Sequence, residues 1–470
     1  MPAIKSTGAY IPYYRLKREE IARAWGGGAQ KGEKAVANFD EDSITLAVES
    51  ARDCLQGIDR RTVDGLYFAT TTSPYREKQC AAIVAAALGL KKNVFTADFT
   101  DSLRAGTNAL RAALDALKAG TAQNILVIAA DCRLGAPGSD FEQTFGDGSA
   151  ALLVSSEGSV SFGASYTHAS EIIDQWRTEN QPFVKMWEDR FVYTQGYLAN
   201  VKEALSAYLK ENDHALQDYH KFIIYAPDSR RHQEACRMLK VDSQVQVQDP
   251  LFEVVGNTGA AFALMMLVAA IEEASAGQRM LLINYGDGCD LFALEVEGEP
   301  FVAKERKGVK GYLKSKKYLS YEKYLRVRKL LEVEMGRRRP PLVSSAVAIN
   351  RDRKMIYSLH ASECTNCGRA FFPPQRVCLY CRAKDQFREI SFSERKGKLF
   401  NFCLDELAQS SDPPVIVSLV DVEGGLRFYG QMTDRDPEQI ELDLPVEFTF
   451  RKMSEAEGFH NYFWKCRPIR

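Results

Sequence analysis

The sequence predicts an α/β layered domain followed by a small metal-bound ribbon and an all-β barrel, and three observations carry that expectation. Residues 1–297 alternate short apolar runs with stretches of helical periodicity. Cys364, Cys367, Cys378 and Cys381 form C-x2-C-x10-C-x2-C. Beyond them, GKLFNFCL, PPVIVSLVDVEGGLRFYGQM and PVEFTFRKM read as strands separated by Gly and Asp turns. A chain of 470 residues exceeds a single core, so about two to four domains are expected.

In the first region the strands fall at Val63–Ala69, Ile125–Ala130, Ala150–Ser155, Phe222–Tyr225 and Met280–Asn284. The helices fall at Asp42–Gln56, with Asp40 or Asp42 near the cap, and at Ala81–Leu88, Thr107–Lys118 and Ala260–Ala274. Strands alternating with helices in this way favour layers with largely buried strands. Two of the helices open on small residues, in AGTNAL and GNTGAAFALMML. Small residues there permit close packing and let backbone amides face a ligand. Residues 300–338 are rich in Lys, Arg and Tyr. Apolar positions from Tyr318 to Leu331 recur at helical spacing, either on a solvated helix packed by its Tyr/Leu stripe or on a basic rim near a phosphate-bearing ligand. RRRPPL, Arg337–Leu342, reads as a proline-stiffened exit. The expected division is 1–299 for the layered domain, 300–338 for its basic extension, 339–357 for a linker, 358–387 for the ribbon and 388–470 for the barrel.

Two close pairs of cysteines match tetrahedral zinc, with Gly368 supplying a positive φ after the first pair. A redox role usually involves one such pair. Four Cys ligands leave no position for water, so this zinc holds structure. Most of the remaining cysteines (Cys54, Cys80, Cys132, Cys236, Cys289, Cys403 and Cys466) read as buried small apolar residues in a reducing, cytoplasmic setting. The barrel fits a Greek key of the OB type, and it lacks the basic, aromatic-interleaved surface of a nucleic-acid binder. A net charge of −1 gives no electrostatic case for nucleic acid or membrane. No apolar run reaches the roughly 18 residues of a spanning helix, and MPAIKSTGAYIPYYRL lacks a signal-peptide core.

GAYIPYYRLKREEIARAWG, KGEKAVANFDEDSITLAVESA, TSPYREK, LRAGTNAL, DQWR, VGNTGAAFA and INYGDG resemble the 3-hydroxy-3-methylglutaryl-CoA synthase family of the thiolase superfamily. LHASECTNCGRAFFPPQRVCLYC and VDVEGGLRFYG resemble the rubredoxin-like zinc-ribbon plus OB family that accompanies thiolase-type enzymes. The resemblance implies a five-layered α/β/α/β/α thiolase fold, an acyl-CoA ligand, a homodimer, a possible second thiolase-type subunit, and carbon–carbon bond chemistry on thioesters. It also implies a nucleophilic Cys, a His on the thioester oxygen, an Asn and a general-base Glu.

Three of those four positions differ here. Ser102-Leu103-Arg104-Ala105-Gly106-Thr107 stands where the family reads A-C-K-A-G-T, so Leu103 takes the Cys position. Thr71 takes the Glu position and Tyr225 the His position, while Asn257 stands as the resemblance implies. Leucine has no lone pair and cannot form an acyl-enzyme. What survives is a non-catalytic acyl-CoA-binding role or the half of the chemistry that needs no acyl-enzyme: aldol addition or its reverse on a 3-hydroxyacyl-CoA. That half requires a base at the β-hydroxyl and donors at the thioester oxygen, for which Tyr225 and Asn257 are the candidates. A tyrosinate base would need a nearby cation or a helix N-terminus; Tyr225 as a plain core residue is the competing reading. Asp101 and Ser102 flank the vacated position, and Thr71, Leu103 and Gly286 are the expected substrate contacts. Cys289, expected in a loop, is the best replacement thiol for an acyltransferase with a relocated Cys. His232 reads as a surface helix residue and Asp147 as a turn support.

Overall fold

The computed structural model describes residues 1–301, 303, 305–334 and 344–469. The RRRPPL run therefore lies outside the described residues. The chain divides into two compact units. One comprises Met1–Ala37, Asp42–Ala85 and Leu90–Tyr324; the other comprises Asn38–Glu41, Ala86–Gly89 and Leu325–Arg470.

The strands of the first unit's nine-stranded sheet are β1 (Ala3–Tyr10), β2 (Gly65–Ala69), β3 (Phe95–Phe99), β4 (Asn124–Asp131), β5 (Gly148–Ser155), β6 (Val160–Ala169), β7 (Lys221–Ile224), β8 (Arg279–Tyr285) and β9 (Gly288–Val296). Its main helices are α1 (Ser43–Cys54), α2 (Cys80–Ala87), α3 (Ala105–Lys118), α4 (Ala199–Glu211), α5 (Ser229–Leu239) and α6 (Phe262–Ile271). The strands lie in the order β7-β8-β9-β6-β1-β5-β4-β2-β3. The β6–β1 step joins two halves through only Ala3↔Ser161 and Ile4↔Val160. Helix α6 is buried at all ten positions and packs on β5 of one half and on β7 and β8 of the other. A helix apolar on every face belongs in the interior, so α6 and its neighbour α3 form the central layer. Helix α1 covers β1, β5 and β4, and α4 covers β6, β8 and β9.

The expected strands and helices are all present, with ends shifted by a few residues. The sequence reading missed β1, β3, β6 and β9. In β1 and β6 small and polar residues interrupt the apolar pattern (AIKSTGAY, VSFGASYTHA), and pairing on both edges of β1 outweighs that pattern. Asp42 rather than Asp40 caps α1: its carboxylate accepts from Thr45 N at 3.0 Å, and Thr45 Oγ1 accepts from Asp42 N at 2.9 Å. The helix expected over 318–331 is present as the shorter α8 (Tyr321–Val327), and a second short helix, α7 (Gly308–Lys314), precedes it. Between them, Lys317–Tyr318 pairs with Tyr14–Arg15 as a strand.

In the second unit, residues 346–357, expected as linker, lie in helices α9 (Ala346–Arg351) and α10 (Arg353–Ser358). The Ser345 side chain caps α9 by accepting from Ala348 N at 3.3 Å. The ribbon sheet has the order β11-β10-β12, from β10 (His360–Cys364), β11 (Ala370–Phe371) and β12 (Phe387–Ser391). Next come β13 (Gly397–Asp405), β14 (Val415–Val422), β15 (Leu426–Met432), β16 (Pro445–Ala456) and β17 (Phe459–Pro468). They close a barrel in the order β13-β14-β15-β17-β16. Its core is aromatic: Phe428 meets Phe448 edge-to-face at 5.0 Å, and Trp464 donates to Tyr357 O at 2.9 Å. Among the described residues no helix is long and apolar enough to cross a membrane.

Asp42→Ala removes the side-chain half of the α1 capping box, the carboxylate that accepts from Thr45 N, and leaves the backbone half in place. A loss of about 1 kcal/mol of stability is expected, read as a lower urea midpoint with an unchanged slope.

Candidate functional site

Parallel pairing brings the C-terminal ends of β2 and β4 level, with Ala69 opposite Ala129. Asp131, the last residue of β4, is fully buried there. Its Oδ1 accepts from Thr70 Oγ1 (2.9 Å), Thr71 N (2.7 Å) and Thr72 Oγ1 (2.9 Å). Its Oδ2 accepts from Thr71 Oγ1 (2.9 Å) and from Ala260 N (2.8 Å), just before α6. Thr71 thus has its hydroxyl directed to a buried carboxylate, and Asp131 lies beside the position where the resemblance places a Glu. Gly259 makes this packing possible: at φ +61° a Cβ would stand 2.3 Å from Asp131 Oδ2 and 2.7 Å from Arg133 Cδ.

β7 and β8 also run parallel, and Tyr225 N donates to Ile283 O at 2.9 Å. The structure brings Tyr225 and Asn257 together. Asn257 Nδ2 donates to Tyr225 Oη (3.3 Å), Ala226 O (3.3 Å) and Pro227 O (3.1 Å), and its Oδ1 accepts from Gly259 N (2.9 Å). Both residues are 1% exposed. Burial pushes the Tyr225 phenol up to about 12, against the pull of Arg133 and of the Asn257 hydrogen bond. Tyr225 is therefore a proton donor at neutral pH, and the tyrosinate base considered from sequence is not favoured.

Leu103 and Gly286 also meet: a Cβ on Gly286 would stand 2.8 Å from Leu103 Cβ. Leu103 is buried just before α3, and its carbonyl accepts from Asn284 Nδ2 at 3.4 Å. Asp101 is not drawn into this group; it is exposed at φ +71° and accepts from Thr100 Oγ1 at 2.9 Å. Ser102 donates to Asp287 at 2.8 Å. Cys289 lies in strand β9 rather than in a loop, is fully buried, and has its thiol pushed well up by burial and by Asp290. Such a thiol is a poor nucleophile. Asp147 accepts from Ala37 N at 2.7 Å, as a structural support would. His232 is buried rather than on the surface, beside Cys236 and Phe252.

Sequence reasoning missed four groups here: Asp131, Arg133, Asp174 and Tyr285. The Asp174 side chain is buried, accepts from Tyr285 Oη at 3.1 Å, and has its carboxyl pushed up by burial. Its stretch, DQWR, was legible as part of the resemblance, but nothing in the sequence marked the aspartate as facing a tyrosine. Tyr197, on the wide helical turn Val192–Leu198 that leads into α4, donates to Tyr225 O at 2.7 Å.

Next to this centre opens a cavity of about 910 Å³. Tyr193, Val184, Phe141 and Pro227 line it together with the cations Arg18, Lys31, Lys185, Arg230 and Arg231 and the anions Asp140, Asp189, Asp228 and Glu253. The N-terminus of α5, capped by Asp228 accepting from Arg231 N at 2.8 Å, adds its partial positive charge.

In the second unit the sulfurs of Cys364, Cys367, Cys378 and Cys381 all lie within 4.8 Å of one another. Cys364–Cys381 and Cys367–Cys378 stand 3.6 and 3.5 Å apart. Sulfurs ~2.3 Å from a tetrahedral zinc would be about 3.8 Å apart, so the donor set fits that ion. Gly368 has φ +73°, as the knuckle requires.

Residues 351–387 match the ChsH2 rubredoxin-like zinc ribbon domain. Hydroxymethylglutaryl-CoA synthase of Thermococcus sibiricus is 32% identical over 298 residues, covering 62% of this chain and 85% of that protein. The Pyrococcus horikoshii enzyme of the same name is 30% identical over 319 residues, 66% of this chain and 91% of that one. The chain belongs to the hydroxymethylglutaryl-CoA synthase family. Solved structures agree on the fold. An HMG-CoA synthase complexed with CoA, 23% identical, aligns with a TM-score of 0.62 over 72% of this chain and 92% of that one. The 3-oxoacyl-(acyl carrier protein) synthase III of Pseudomonas aeruginosa PAO1, 20% identical, aligns with a TM-score of 0.57 over 64% and 99%. The layered unit therefore has the five-layered thiolase fold. Within the HMG-CoA synthase family, this chain carries a ribbon and a barrel after the synthase region.

Metal analysis should find one zinc per chain, and Cys378→Ser should abolish it; chelation should melt the ribbon's circular-dichroism signal. Burial also holds His232 down at about 4, against the pull of Asp249. The unfolded chain takes up that proton near 6.5 while the folded chain does not, so the stability is complete above pH 6.5 and is lost as pH falls toward 4. The full separation is worth about 3 kcal/mol, and His232→Gln should flatten stability against pH across that window.

Proposed function

We propose that this chain binds an acyl-CoA and makes or breaks the Cα–Cβ bond of a 3-hydroxyacyl thioester by aldol chemistry, with no acyl-enzyme. The observation that carries this reading is the convergence of Tyr225 and Asn257 at the strand ends, in a site whose aligned nucleophile position is an aliphatic side chain. In the cleavage direction, Asp174 accepts the β-hydroxyl proton and Tyr225 donates a hydrogen bond to the thioester oxygen. Burial raises the Asp174 carboxyl toward the range useful to a base at neutral pH. The amide of Asn257 orients the Tyr225 hydroxyl by donating to its oxygen.

The 910 Å³ cavity is the entrance for the CoA portion. Arg231 is already paired with Glu234 at 2.8 Å and lies over the Tyr193 ring. The Lys185 side chain has no hydrogen bond or ion pair among the described residues and is exposed, so it is the cation best placed to meet a phosphate. Zinc in the ribbon holds that module together and takes no part in the chemistry. The barrel is read as OB-type. A homodimer is inferred from β3, which forms the outer edge of the nine-stranded sheet, with half-exposed side chains and no strand beyond it among the described residues.

A second reading, an acyl-CoA-binding partner for another thiolase-type subunit, draws support from the closure of the centre, where Tyr225 and Asn257 are 1% exposed. One assay separates the two. The chain alone, given 3-hydroxyacyl-CoA thioesters, should release an aldehyde or ketone, and Tyr225→Phe should cut the rate by about 10²-fold with little change in affinity. Inertness alone and turnover only beside a second thiolase-type subunit would replace the lyase reading with the partner reading. Lys185→Glu should weaken acyl-CoA binding roughly tenfold, as expected for one lost phosphate contact.

A further inference from the structure

Arg133 lies two residues beyond the end of β4 and is 7% exposed. Its guanidinium stacks 4.3 Å over the Phe145 ring, and Nη2 donates to Gln175 Oε1 at 2.8 Å. Nη1 is buried with no hydrogen-bond partner. A buried arginine stays charged and presents its donors in a fixed fork, so an N–H left unmet there is costly unless something arrives to meet it. The neighbouring anions do not meet it. Asp131 has both oxygens filled by five donors, and Asp174 receives Gln175 N and Tyr285 Oη.

The aim of the side chain follows from its packing. Gly259 lacks the Cβ that would displace Arg133 Cδ, and Gly259 N is held by Asn257, whose amide donates to Tyr225. Arg133, Asn257 and Tyr225 thus converge, with Tyr225, Asp131, Arg177 and Asp174 as the charged or titratable groups around the guanidinium. Arg177 points its own guanidinium at Thr71 O, 2.8 Å away.

We propose that Arg133 holds the anion of this site: its free Nη1 donates to the oxygen on which negative charge collects when a 3-hydroxyacyl thioester is cleaved. This rests on the aldol reading. The β-hydroxyl proton goes to the Asp174 carboxylate as the O–H electron pair forms the new C=O. The Cα–Cβ bond breaks, and its electron pair becomes the thioester enolate, with the charge on the carbonyl oxygen. The proton on Asp174 then passes to Cα, which yields the shortened acyl-CoA and restores the carboxylate. Tyr225 supplies a neutral donor to that oxygen, and Arg133 supplies the compensating charge in a low-dielectric site, where fixed charge acts most strongly.

The test uses the full chain and a 3-oxoacyl-CoA, which cannot undergo this cleavage and whose enolate absorbs in the near ultraviolet. Bound to the wild type at neutral pH, it should show the enolate band. Arg133→Gln should lower the enolate fraction at least tenfold at saturation, and Arg133→Lys should retain part of it. Equal enolate bands in the wild type and Arg133→Gln would overturn the proposal, as would a wild type that binds the probe without raising its enolate fraction or fails to bind it. If Arg133→Gln does not fold, Arg133→Lys becomes the deciding variant, and a band there that matches the wild type in both size and pH midpoint overturns the proposal. Turnover of 3-hydroxyacyl-CoA is scored separately: an Arg133-dependent enolate band without cleavage keeps the anion site and removes only the aldol reading.

Discussion

The buried carboxylate of Asp131 is the constraint on which the rest of the site depends. It terminates β4, fixes the Thr70–Thr72 turn after β2 through four hydrogen bonds, and takes Ala260 N from the segment leading into α6. An ionised carboxylate out of water is tolerated only when its lone pairs are filled, and five donors fill them here. That network positions Gly259, and Gly259 in turn leaves room for Arg133 and ties down Asn257. Replacing the carboxylate would release three segments at once.

Around this anchor stand an apolar side chain, a neutral donor and a small set of charges. Leu103 gives the start of α3 an apolar side chain packed on Gly286, with no nucleophile. Tyr225 is a neutral donor, and the remaining charge belongs to Arg133, Asp131 and Asp174. On the proposed reading, these groups would serve charge stabilisation without a covalent intermediate. The cavity beside Pro227 differs in being lined by cations and anions together.

Where the sequence was legible, spacing encoded geometry directly. The four cysteines fix their own arrangement through two tight loops, and the helical runs of α3 and α6 declare themselves by length and apolarity. The pairing of Tyr225 with Asn257 and of Leu103 with Gly286 could be expected only because the surrounding stretches resemble a known family. Arg133 and Asp174 were silent, because the role of a charged residue depends on what long-range folding places opposite it. Residues 346–357 looked like linker because each helix there is a single short turn with a weak pattern, and Lys317–Tyr318 interrupts a helical stripe because β pairing with Tyr14–Arg15 supplies backbone partners that the stripe does not encode.

The all-apolar helix α6 also bears on how the molecule is made. It is the shared filling of both half-sheets, yet it emerges more than a hundred residues after β5, the strand it covers. During synthesis the inner face of the first half-sheet is therefore covered by α3 alone until α6 emerges, and pairings of high sequence separation form slowly. The ribosome-bound chain is thus at its most aggregation-prone between residues 155 and 271, a window in which chaperone capture would have its greatest effect.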